Sequence, residues 1–227
     1  MRFLSLICLS FALLLTSCNP QRQTRLNNKD GGALFYSEGE PSRWRRTAFP
    51  ITLRIPVDQF ETYESVALND AMVAWEDAVG YKLFTVEWTT SDDPMILGDN
   101  WEIDTVIVNK RNLGKNASGN KIYGLAWPIP WTLFKYFLLS GRIELDYSLR
   151  THDQLERVFA HELGHMLGLA HDPQDQKSLM HPYVVAIGGE VFIQDPDVAF
   201  VRSQLPLQYD KTYSCKEDPR RDYCPQL

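Results

Sequence analysis

The sequence predicts an α+β domain, a mixed sheet backed by helices with a cleft beneath it, and three observations predict it. Short strand-like stretches recur through the first two thirds of the chain, and two longer stretches carry apolar residues at helical spacing. The second of these helices bears a histidine-rich segment, HELGHMLGLAH, from His161 to His171. With 227 residues, 44% of them hydrophobic, the chain is long enough for one domain with a proper core. Its net charge of −6, without a basic run, argues against nucleic acid as a partner.

The chain opens with Arg2 and an apolar run from Phe3 to Leu15, too short to span a bilayer and of the length expected for a secretory signal. The LTSC ending, Leu15 to Cys18, resembles a bacterial lipobox, which implies cleavage before Cys18 and a lipid on that cysteine. Residues 1–17 are therefore expected to be a lipoprotein signal peptide, and the mature protein to be lipid-anchored in the bacterial cell envelope. Asn19, in place of aspartate, points to the outer membrane by analogy with known lipoproteins. Residues 18–43, polar and poor in apolar side chains, read as a flexible tether, and residues 44–227 as the folded domain. With Cys8 removed and Cys18 lipidated, Cys215 and Cys224 remain, and an oxidising compartment would join them as a short disulfide loop.

Within the domain, Ile51, Leu53 and Ile55 alternate with Thr52 and Arg54, the period of a half-buried strand. A helix follows from Thr62 to Val79, with Tyr63, Val66, Ala67, Ala74, Trp75 and Ala78 on one face and Gly80 ending it. Phe84, Val86 and Trp88 mark a second strand, and Ile103 to Val108 a buried third. A polar loop from Asn109 to Lys121 leads into Ile122 to Trp127, a strand ended by Pro128 and Pro130. The aromatic run from Trp131 to Leu139 reads either as core or as an exposed lip. Ile143, Leu145 and Tyr147, alternating with Arg142, Glu144 and Asp146, form the last strand before the histidine-bearing helix. That helix is expected to be capped by Thr151 or Asp153 and to bury Leu155, Phe159, Leu163 and Met166. Asp195-Pro196-Asp197 reads as the start of a C-terminal helix reaching about Gln204.

In a helix, residues four apart share a face, so His161 and His165 can present imidazoles to one ion. Gly168 allows the chain to turn back sharply and return His171 to the same place. Three neutral imidazoles with an open fourth position form a catalytic zinc arrangement, and zinc lowers the pKa of a bound water to about 7. Glu162 is the obvious proton acceptor. His152 reads as a helix-start residue and not as a ligand.

The segment HELGHMLGLAH followed by SLMHP resembles the metzincin metallopeptidases, and within them the matrixins. The resemblance implies a zincin fold, with a backing helix and an active-site helix above the cleft and a small irregular lower part carrying a C-terminal helix. It implies one catalytic Zn2+ on His161, His165 and His171, Glu162 as general base, and Met180 in the methionine turn beneath the metal. It also implies a sheet-edge strand along the cleft, where Leu125 and Ala126 would contact an extended polypeptide, and a pocket wall from Pro182 to Ala186, with Tyr183 as its candidate substrate contact. Calcium is a further ion that the resemblance brings in, held in matrixins by scattered backbone oxygens that no sequence pattern reveals. His181 stands where matrixins usually carry tyrosine, and Asp172 where they usually carry serine. The expected function is a monomeric zinc endopeptidase. A catalytically silent zinc-binding lipoprotein and a zinc hydrolase of cell-wall peptides are the alternatives.

Overall fold

A computed structural model describes residues 42–98, 101–131, 137–183 and 192–206. The signal peptide, Cys18, almost all of the tether, and Cys215 with Cys224 lie outside the described residues, as do 184–186 of the expected pocket wall and 132–136 of the aromatic run.

The elements are β1 (Ile51–Pro56), α1 (Thr62–Val79), β2 (Phe84–Thr89), α2 (Pro94–Leu97), β3 (Thr105–Arg111), β4 (Gly124–Pro130), β5 (Leu138–Asp146), α3 (His152–Met166) and α4 (Asp195–Gln204), the expected order with the short α2 added and with β4 running on through Pro128 and Pro130 as an edge strand can. The five strands form one sheet in the order β2-β1-β3-β5-β4. Among the described residues four strands run parallel, and β4 is antiparallel and pairs only with β5, at an edge of the sheet. This is the mixed sheet with backing helices that the sequence predicts.

Helices α1 and α3 pack against each other and, with the sheet, enclose one core built on Ile51, Leu53, Ile55, Leu68, Trp75, Phe84, Ile143, Phe159 and Leu163, all 1% exposed or less. The indole nitrogen of Trp75 donates to the carbonyl oxygen of Ala160 across 2.8 Å, fixing α3 against α1 one residue before the first histidine of the motif.

The buried face of α1 differs from the expected one. Tyr63 and Val66 are exposed, and the helix buries Glu64, Ala67, Leu68, Ala71, Met72, Trp75 and Val79, a regular stripe at spacings of three and four. The stripe was hidden because it begins with a carboxylate. Glu64 is buried against the Lys110 ammonium of β3, while its Oε2 accepts the Glu61 amide at the helix start, 2.8 Å away. Similar pairings hold two further buried carboxylates of the sheet: Glu144 meets Arg111, and Asp146 meets Lys121. The third strand starts at Thr105, leaving Ile103 exposed; the last ends at Asp146, leaving Tyr147 exposed. Gln194, not Asp195, occupies the cap position of α4, so Asp195 lies in its first turn.

Candidate metal centre

Helix α3 begins at the expected cap: Thr151 Oγ1 accepts the Gln154 amide at 3.3 Å. Its buried stripe, Leu155, Phe159, Leu163 and Met166, anchors it in the core. His152, at its start, lies away from the motif and meets Asp70 of α1, with Nε2 2.9 Å from Oδ2.

After Met166 the chain reverses in a Schellman motif. The Gly168 amide donates to His165 O and the Leu169 amide to Gly164 O, both at 3.0 Å. Gly168 has φ +93°, and a β-carbon there would run into the backbone oxygen of Ser42, so the turn requires glycine on both counts. The last helical carbonyls find partners from both ends of the domain: Trp44 Nε1 donates to Met166 O at 2.6 Å, and Gln204 Nε2 to Leu167 O at 2.8 Å. Gln204 Oε1 in turn accepts the Trp44 amide at 2.9 Å.

This turn brings His171 onto His161 and His165. The Nε2 of His171 lies 3.1 Å from that of His165 and 3.2 Å from that of His161. Among the described residues, these three form the group of histidine, cysteine and acidic side chains placed to hold one ion. Two of the rings are aimed by backbone carbonyls: His161 Nδ1 lies 2.7 Å from Leu179 O, and His165 Nδ1 lies 2.8 Å from Leu169 O. A carbonyl can only accept, so each Nδ1 carries the proton and each Nε2 presents a lone pair to the centre. The lone pairs of His161 and His165 thus both point towards His171 Nε2, a convergence suited to a cation between the three nitrogens. Zinc with nitrogens at about 2.0–2.1 Å in tetrahedral arrangement holds its ligands roughly 3.3 Å apart, which these separations match. The residues fit the metal that the sequence implies.

Burial keeps the His161 and His165 rings neutral. It lowers His161 to about 3, with the neighbouring His165 adding to the effect, and lowers His165 to about 4 against the opposing pull of the Leu169 carbonyl. Burial also raises the Glu162 carboxyl to about 8 in the protein alone, and a divalent cation beside it favours the ionised form. Glu162 is buried with its carboxylate against Gly124 of the edge strand β4.

Met180 is fully buried beneath this helix, packed against Gly164, which Trp75 also approaches. Its segment holds the site twice, since Leu179 O aims His161 and Met180 O accepts the amide of Asp172, next to His171, at 2.9 Å. Of the residues expected to touch substrate, Leu125 is half-buried on β4, Ala126 is buried in the core with 6% exposure, and Tyr183 is exposed at 57%. Sequence reasoning named the histidines but not their supports. Trp44, Trp75, Gln204 and Gly124 lack any spacing signal that ties them to the motif.

No curated protein matches the chain. The matrixin family model matches residues 51–204, from the first strand to the end of α4 and more than half of the chain. With the histidine triad assembled at the end of α3 and Met180 beneath it, the chain belongs to the matrixin family of zinc metallopeptidases.

Proposed function

We propose that this protein is a zinc endopeptidase that cleaves extended polypeptides, with His161, His165 and His171 as metal ligands and Glu162 as general base. The observation that carries the reading is the convergence of three Nε2 atoms beside a buried carboxylate and an open sheet edge. Zinc held by the imidazoles supplies a Lewis acid that acidifies water to a pKa of about 7 and polarises the scissile carbonyl. Glu162 takes the proton of the attacking water and passes it to the departing amine. The edge strand β4 adds the substrate as a further strand through backbone hydrogen bonds around Leu125 and Ala126, so the buried Ala126 side chain is no obstacle. Tyr183, exposed beyond the Met180 turn, borders the side chain that follows the scissile bond.

The same reading makes the protein a lipoprotein of the bacterial envelope, anchored through Cys18, sorted to the outer membrane and closed near its end by a Cys215–Cys224 disulfide. The sequence supports it through the LTSC ending and the two remaining cysteines. Labelled fatty acid incorporated by the parent and not by Cys18→Ser is the expected result.

The peptidase assignment is tested by measuring zinc content and casein cleavage for the protein and its Glu162→Ala variant. Both should bind one zinc, and only the parent should cleave, with a loss of about 10²–10⁴-fold or more in the variant. Cleavage at comparable rates by both, or zinc in neither, overturns the assignment.

A further inference from the structure

We infer that Gly124 is a positioning residue for Glu162: the missing side chain at this point of the sheet edge decides where the carboxylate stands. The inference rests on the peptidase reading above and adds a residue outside the metal-binding motif.

Glu162 is 5% exposed, yet among the described residues no group donates a hydrogen bond to its carboxylate. A side chain with three rotatable bonds and no such partner is held by packing. The packing surface is β4. A β-carbon on Gly124 would lie 2.9 Å from Glu162 Cδ, closer still to Oε1, and 2.8 Å from Val158 Cγ1. The carboxylate thus occupies the space that any other residue at position 124 would fill.

Backbone conformation gives no reason for this glycine. Gly80, Gly114, Gly119 and Gly168 have positive φ, and Gly124 does not. It sits within a strand, where glycine weakens the element and commonly marks a close approach. The atoms it makes room for are ends of side chains on α3, in contrast to Gly168, which faces the backbone oxygen of Ser42. Alanine at 124 can therefore be accommodated by moving the Glu162 carboxylate and the Val158 methyl, leaving sheet and helix in place. Restoring an ordinary contact of about 3.5 Å requires a shift of roughly 1 Å, a misplacement that can cost about 10²-fold in rate.

The test compares the full protein with Gly124→Ala, Glu162→Asp and the double variant. Gly124→Ala is expected to keep its zinc and its thermal midpoint within a few degrees, and to lose about 10²-fold in kcat with KM little changed. Aspartate withdraws the carboxylate from the added methyl, so Glu162→Asp should cost much less in the Gly124→Ala background than in the parent, a coupling that a general weakening of the fold would not produce. Crystal structures of the metal-free parent and Gly124→Ala should show the carboxylate displaced by about 1 Å on an unmoved α3. Full activity in Gly124→Ala, independent losses in the double variant, loss of zinc, or a displaced β4 beside an unmoved carboxylate each overturns the inference. A zinc-loaded parent that cleaves no polypeptide defeats the peptidase reading instead, and the carboxylate position still decides the role of Gly124.

Discussion

His161 donates from Nδ1 to the carbonyl oxygen of Leu179 across 2.7 Å, so the first histidine of the motif is aimed by the residue preceding Met180. The metal-binding helix and the methionine turn are thereby one unit, separated by 18 residues of sequence.

Removing the metal should loosen that unit. Without a cation, the Nε2 lone pairs of His165 and His161 converge on His171 Nε2, at 3.1 and 3.2 Å, with no ion to hold the three rings together. Calorimetry with and without a chelator should show a lower unfolding midpoint in the chelated protein, restored by added zinc. A free zinc concentration one hundred times Kd corresponds to about 2.7 kcal/mol. An identical midpoint in both conditions would refute a metal bound through the folded state.

Gly168→Ala should weaken zinc binding while leaving α3 helical. The left-handed backbone at φ +93° costs a residue with a β-carbon about 1–2 kcal/mol, and the facing Ser42 oxygen adds to it. The turn that returns His171 then has to open. Competition against a chromogenic chelator should report the lower affinity, and unchanged affinity would show that His171 reaches the site by another route.

The buried pair of Glu64 and Lys110 gives a stability prediction. Their side chains are 2% and 7% exposed, so Lys110→Met strands a carboxylate in the core at a cost of about 3–5 kcal/mol. Adding Glu64→Gln removes the stranded charge and keeps an oxygen for the Glu61 amide, and should recover most of the loss. Urea unfolding measures both; equal stabilities of the single and double variants would contradict the pairing.

Acid sensitivity should be traceable to Asp146. Burial alone would raise its carboxyl, but the Lys121 ammonium and hydrogen bonds from Ser148 and Leu113 overcome it and bring the group down to about 2. A folded pKa below the unfolded 3.8 means stability present above pH 4 and lost as pH falls through about 2. Asp146→Asn should therefore be less stable than the parent at pH 7, by about 1–2 kcal/mol once solvent around Lys121 is allowed for, with the gap closing near pH 2. A gap that does not change with pH would rule out the titration of Asp146 as its source.

Local periodicity and rare residues in register made part of this molecule legible from its sequence. Ile51, Leu53 and Ile55 announce β1, and His161, His165, Gly168 and His171 announce the metal centre, because each pattern is complete within a dozen residues. The face of α1 was not legible, since Glu64 looks solvent-bound until Lys110, 46 positions later, is brought against it. Nor was Gly124, whose meaning depends on a carboxylate on another element. Long-range pairing decides both, and one chain's spacing carries no record of it.

The clamp formed by Trp44, Gln204 and the end of α3 imposes an order in time. The carbonyls of Met166 and Leu167 are satisfied by residues 122 positions earlier and 37 positions later. A chain in the course of synthesis carries the whole histidine motif before Gln204 is made. Until then the turn that delivers His171 lacks one of its two supports. Helix α4 thus acts as a completion step, and a nascent copy gains the second support of its metal-centre turn only when Gln204 is made.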